Sequence, residues 1–122
     1  MSKEIFIRGN VPSSKNGKRW TGKMLIHSKA VMEYIKATKF DYLSNKEKFK
    51  ELLEGKEPPY NISFHFIRGT RHKFDYINPC QTVQDLMVKY GWIEDDNCTW
   101  IIPHFVEYEY NKEEPGVIIK VL

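Results

Sequence analysis

The chain has no apolar run approaching the roughly 18 consecutive residues that a membrane-spanning helix needs, so a membrane partner is not expected. It has only two cysteines, Cys80 and Cys98, too few for a disulfide scaffold. No other Cys or His stands at zinc spacing. Both thiols are therefore expected to be reduced. The opening Met-Ser-Lys-Glu lacks the apolar core of a secretory signal, and a cytoplasmic location is the expectation. Internal repeats and low-complexity tracts are also missing, which disfavours solenoids and disordered tails.

What is present suits one ordinary domain spanning residues 1–122. Apolar residues make up 41% and charged residues 29% of the 122 positions, a balance that disfavours disorder. At this size, folding hides about two-thirds of the extended chain's surface, enough for one core. Net charge is only +3, but its distribution is uneven. Lys3, Arg8, Lys15, Lys18, Arg19 and Lys23 face a single acid, Glu4, within residues 1–27, whereas Glu94, Asp95 and Asp96 are consecutive. A basic loop suits a phosphate backbone, and a carboxylate cluster suits a divalent cation. Each is also compatible with plain solvated surface.

The pattern of elements reads as β, helices, β, helix, β, β. Glu4 to Arg8 is a first strand. Residues 9–22 contain Pro12, Ser13, Ser14, Asn16 and Gly17, which excludes a regular element there. The basic loop is placed at 9–27. Ser28 is a cap for a helix burying Val31, Tyr34, Ile35 and Thr38. Ser44 and Glu47 fit a capping box for a second helix burying Phe49, Leu52 and Leu53, stopped by Gly55. Tyr60 to Arg68 alternates as a strand with Ile62, Phe64 and Phe66 on one face and His65 on the other. Asn78 and Pro79 are expected to start a helix, with Gln81 completing the cap, that buries Val83, Leu86, Met87 and Tyr90 and ends at Gly91. Residues 99–109 and 117–121 read as two strands joined by a polar hairpin at 111–116. Pro103 confines the first of these to a bulge, bend or edge. The expected fold class is α+β, a small mixed β-sheet with helices packed on it.

The segment from Arg71 to Asp96 carries the chemistry. Asp75 precedes the helix, and Asp95-Asp96 follow it. A helix from Pro79 to Tyr90 is about 18 Å long, so Asp75 and Asp96 meet only if the chain turns back after Gly91. Carboxylates that meet without a Lys or Arg call for a cation. Mg²⁺ favours carboxylate and water oxygens and accompanies phosphate chemistry.

This segment resembles the core motif of the RusA-like family of Holliday-junction endodeoxyribonucleases, small proteins often carried by phages and prophages. That motif has a basic pair, Asp-Leu-Asp-Asn, and a helix with Lys in its first turn and Asp-Ala-Leu near its end. A Gly turn and an Asp-Asp pair follow. Asp75 falls on the first catalytic Asp, Asn78 on the Asn, and Asp85-Leu86 on the helical pair. Gly91-Trp92-Ile93 falls on the turn and Asp95-Asp96 on the terminal pair. Val11-Pro12-Ser13-Ser14-Lys15-Asn16 resembles the family's Pro-Pro-Ser-x-Asn signature. The similarity covers nearly the whole chain in element order, with an enlarged helical region near 40–57. It implies a RusA-like resolvase fold and a homodimer acting on four-way junctions in recombination and repair. Catalytic Asp75, Asp96, Asn78 and Asp95 are implied, with Mg²⁺ (or Mn²⁺) on Asp75, Asp96 and Asp95. DNA contacts are expected at Lys15, Asn16, Lys18, Arg19, Lys23, Arg71 and Lys73, with Trp20 either stacking on an exposed base or anchoring the loop on its own domain.

Two positions depart from the family. Its second motif Asp falls on Ile77, which cannot coordinate a metal, and its helix Lys falls on Gln81, which carries no charge. Two functions follow. One is a divergent nuclease with Asp95, Glu94, the Asn78 carbonyl or water replacing the lost ligand; the other is a junction-binding protein that has lost cleavage. A protein-interaction module would account for the aromatic strands but not for Asn16, Asp75, Asn78 and Asp96 together.

Overall fold

Ile5 and Ile7 alternate with Glu4, Phe6 and Arg8, and the result is β1 (Glu4–Arg8) with both isoleucines buried. The computed structural model describes residues 3–13, 18–20, 25–27 and 29–122, giving backbone placement alone at 18–20 and 25–27. The same alternation builds β4 (Tyr60–Arg68), where Ile62, Phe64 and Phe66 are fully buried. Between them lies β7 (Gly116–Val121), antiparallel to both. The registers align Ile5 with Ile119 and Phe64, and Ile7 with Val117 and Phe66. Those ranks form one continuous apolar face, and burying each such side chain contributes about 1.5–3 kcal/mol. Gly116 is required at the β1–β7 junction, since a Cβ there would meet the Ile7 carbonyl oxygen and the Phe6 ring at 2.6 Å.

The other side of β4 pairs in parallel with β5 (Ile101–Phe105) and, further along, with β6 (Glu109–Tyr110). The sheet is thus mixed, in the order β1-β7-β4-β5 with β6 also on β4. This corrects the expected hairpin between residues 99–109 and 117–121. The chain instead passes from one side of β4 to the other, because the apolar β7 gains more by insertion at the sheet centre. Pro103 lies in β5, which pairs with β4 alone in the sheet order, the edge position that suits a residue without an N–H. A second correction concerns the basic loop. It contains β2 (Lys18–Trp20) and β3 (Leu25–His27), paired antiparallel.

Among the described residues, three helices accompany the sheet. In α1 (Lys29–Ser44) the spacing of Val31, Tyr34, Thr38 and Tyr42 makes one buried stripe. Ser28 lies outside the described residues. The helix runs on to Ser44, so the expected Ser44–Glu47 box does not form; α2 (Lys46–Leu52) begins after Asn45 without a side-chain cap. Ser44 Oγ instead donates to the Asp41 carbonyl at 3.3 Å. The third helix, α3 (Ile77–Lys89), starts one residue before Asn78, with Tyr76 at its N-cap and no side-chain cap. Gln81 is free to point elsewhere. At its other end, Gly91 adopts φ +79°, Trp92 N–H donates to Met87 O at 2.8 Å and Gly91 N–H to Val88 O at 3.1 Å. That pair of bonds is a Schellman ending, and it reverses the chain.

Trp92 then plugs the core. Its buried indole stacks on Phe49 (centroids 4.9 Å apart) and packs on Tyr42 (5.5 Å), while Nε1 donates to the Tyr42 carbonyl at 2.7 Å. One side chain thereby ties α1, α2 and the turn after α3 together. Among the described residues, no helix is long and apolar enough to cross a membrane.

Candidate nucleic-acid interface

Strand β4, helix α3 and strand β5 form a β-α-β unit with parallel strands, and such units gather ligand-binding residues at the carboxyl ends of their strands. The cleft lies there. It is bounded by Arg68 at the end of β4, Arg71, Lys73, Phe74, Asp75 and Tyr76 in the following link, and Asn78 in the first turn of α3. Ser13 and Tyr108 close it from other segments, around a volume of about 580 Å³. A neighbouring depression shares Phe74, Asp75, Tyr76 and Asn78 and adds Ile77 and Phe105.

Arg68 is the anchored cation. Its Nη1 donates to the Val11 carbonyl at 2.6 Å, and its guanidinium lies 4.6 Å from the centre of the Phe74 ring. Burial lowers its pKa from the ordinary value. Its Nε is buried without a hydrogen-bond partner. Arg71 lies over the Tyr110 ring at 4.2 Å, and Lys73 is exposed. Among the described residues, Lys29 pairs with Glu33 and His65 lies against Glu109, and none of the three cleft cations pairs with a carboxylate. The cleft holds one acid, Asp75. Asp75 accepts weakly from Asn78 Nδ2 at 3.5 Å, while its carbonyl accepts the Asn78 N–H at 3.1 Å.

The second acidic group forms on the flank of α3. The Schellman turn carries Asp96 back to Gln81, whose Nε2 donates both to Asp96 Oδ2 and to Asp85 Oδ1, each at 2.7 Å. The chain reversal on which the Asp75–Asp96 pairing depends therefore exists. Among the described residues, however, no hydrogen bond joins those two aspartates, and only Asp75 lines the cleft. Asp95 stabilises the turn itself: Oδ1 accepts the Asp96 N–H at 2.7 Å and Oδ2 accepts Asn97 Nδ2 at 3.1 Å. Cys80 is buried beside this group, and burial, helped by the negative charge of Asp96, pushes its thiol up to about 12. Cys98 is exposed, and neither cysteine is in a disulfide. No group of three or more His, Cys, Asp and Glu side chains able to hold a metal is assembled among the described residues.

Of the residues singled out in the sequence, Arg71, Lys73, Asp75 and Asn78 come together in the cleft, and Asp96 joins Gln81 and Asp85. Lys15, Asn16 and Lys23 lie outside the described residues. Lys18, Arg19 and Trp20 are placed on strand β2 by their backbone. Outside the contiguous Arg71–Asn78 segment, Arg68 and Tyr108 escape the sequence reading as site residues. Arg68 has a signal in hindsight, as the first of the closely spaced cations Arg68, Arg71 and Lys73. Tyr108 has none, because it reaches the cleft from the link between β5 and β6, which only the pairing of both strands with β4 brings there. No protein-family model matches the chain, and no curated protein matches it.

Proposed function

We propose that this chain is a RusA-like endodeoxyribonuclease that binds branched DNA as a homodimer and hydrolyses a phosphodiester with a divalent metal, Mg²⁺ or Mn²⁺. The observation that carries this reading is the cleft, where three unpaired cations stand around Asp75 and Asn78 at the start of α3. Phosphate oxygens are the natural partners for Arg68, Arg71 and Lys73, which position a backbone without reading sequence. Asp75 in the cleft and Asp96 beside Gln81 offer carboxylate oxygens, the donors a hard cation takes, although among the described residues they are not gathered with a third ligand into one group. A bound ion would supply a water of lowered pKa and polarise the phosphoryl oxygen. Asn78 holds Asp75 at the helix start, and Gln81 orients Asp96. The apolar side chains of Ile102, Phe105 and Val106 are exposed on and just beyond β5, which supports self-association. A cytoplasmic site of action in recombination and repair belongs to the same reading.

Two observations favour a second reading, a junction-binding protein without cleavage. Both N–H groups of the Gln81 amide are spent on Asp85 and Asp96, and Ile77 is 70% exposed beside the cleft, where the family places a carboxylate. The deciding experiment follows nicked product from a synthetic four-way junction across a Mg²⁺ and Mn²⁺ series. The nuclease reading expects nicking that Asp75→Asn or Asp96→Asn abolishes while binding persists. Tight junction binding with no product at any metal concentration decides for the silent reading.

A further inference from the structure

Tyr108 is the aromatic ring that the cleft turns to solvent, 38% exposed, while Phe74 and Tyr76 are half-buried. It is held firmly. Its backbone N–H donates to Tyr76 Oη at 3.1 Å, and the Phe74 ring meets it at 87° with centroids 5.1 Å apart. Phe74 is braced in turn by Tyr76 at 5.1 Å and by the Arg68 guanidinium, and Tyr76 by Phe105 at 5.6 Å. No second ring and no cation stacks on Tyr108 itself among the described residues. Beside this pre-positioned ring stand Arg71, already flattened on Tyr110, and the exposed Lys73.

Cations alone would serve any phosphate backbone. Inside a duplex, however, every base face is covered by its neighbours, so a fixed ring gains stacking only from a base outside the helical stack. A volume of about 580 Å³ also falls in the range of small-ligand pockets, roughly 300–1,000 Å³. We infer that the cleft takes one unpaired nucleotide, its base stacked on Tyr108 and its phosphate held by Arg71 and Lys73. The inference specifies the substrate class of the cleft and rests on the branched-DNA reading.

The test compares two synthetic four-way junctions in EDTA, one fully paired and one carrying a single unpaired 2-aminopurine at the crossover. Anisotropy should show the wild-type protein binding the unpaired form about tenfold more tightly, the size expected from stacking one base. Its 2-aminopurine fluorescence should be quenched on binding. Tyr108→Ala should collapse both the affinity ratio and the quenching, and Tyr108→Phe, which keeps the ring, should retain them. Equal affinities for the two junctions, or a preference that Tyr108→Ala leaves intact, overturns the inference while leaving the branched-DNA reading in place. Failure to bind either junction overturns both.

Discussion

Gln81 Nε2 lies 2.7 Å from Asp96 Oδ2, so an amide in the second turn of α3 holds a carboxylate fifteen residues further along the chain. The same nitrogen donates its other hydrogen to Asp85 at 2.7 Å. Gln81→Ala leaves two neighbouring carboxylates without their shared donor. Hydrogen bonds to charged groups contribute about 1.5–3 kcal/mol, and a loss in that range should appear in urea denaturation at neutral pH. Gln81→Glu should cost more, because a third carboxylate replaces the donor.

Alkaline pH should unfold the domain through three buried acids. Burial raises the Tyr34 hydroxyl to about 12 from 10.0, opposed in part by its hydrogen bond with Tyr42. The fully buried Tyr42 is raised well above its ordinary value by the same desolvation, and Cys80 rises from 9.0 to about 12. A neutral acid with a raised folded pKa binds its proton more tightly when folded. Its contribution is therefore complete below the unfolded pKa and is lost as pH rises toward the folded value. Each group then removes about 1.4 kcal/mol per pH unit within its window. Stability measured by denaturant should fall from about pH 9 and steepen above 10. In the folded protein at pH 8, a thiol reagent should modify Cys98 and leave Cys80 untouched.

Strand β4 is legible in the sequence because one of its faces is core. A period-two pattern that places Ile62, Phe64 and Phe66 inside cannot be shifted by one residue without exposing all three. The stripe Val83, Leu86 and Met87 is legible in α3 for the corresponding helical reason. Caps are less so. Asn78 and Gln81 look like a capping pair, yet Gln81 makes better bonds with Asp85, its i,i+4 neighbour on the helix, and with Asp96, which no local pattern encodes. The position of β7 is hidden for a related reason. Closeness in sequence suggests a hairpin, while its apolar residues find deeper burial between β1 and β4. The candidate site divides in the same way. Arg71 to Asn78 is a contiguous segment and is read directly, whereas Arg68's anchor on Val11 and the arrival of Tyr108 depend on the folded sheet.

The cleft cations should set the salt dependence of DNA binding. Each phosphate neutralised adds about 0.9 to the slope of log affinity against log salt on duplex DNA. Removing Arg71 and Lys73 together by alanine substitution should weaken junction binding and flatten that slope by about 2. Anisotropy titrations across several salt concentrations would check it. An unchanged slope would mean that the phosphates are bound elsewhere.

Ile77 and Gln81 stand one helical turn apart on α3, about 6 Å along its axis. That spacing makes a paired replacement informative. Ile77 is 70% exposed, so Ile77→Asp removes little packing. It also adds an acid to a first turn that has none, where the helix dipole favours negative charge by about 0.3–1 kcal/mol. Gln81→Lys places an ammonium between Asp85 and Asp96, so that a cation replaces the neutral amide as the shared donor to both carboxylates. Either change alone is incomplete: the aspartate supplies a ligand without a cation for the leaving oxygen, and the lysine supplies the cation without the ligand. Ile77→Asp with Gln81→Lys should therefore raise Mn²⁺-dependent nicking of a four-way junction by about tenfold or more over wild type, a part of the roughly 10²–10³-fold that one well-placed electrostatic contact supplies. The single variants should fall between. Time courses of nicked product at saturating protein, with anisotropy confirming equal occupancy of the junction, measure the difference. Wild-type and double variant that bind alike and both fail to nick would place the cleft outside phosphodiester hydrolysis.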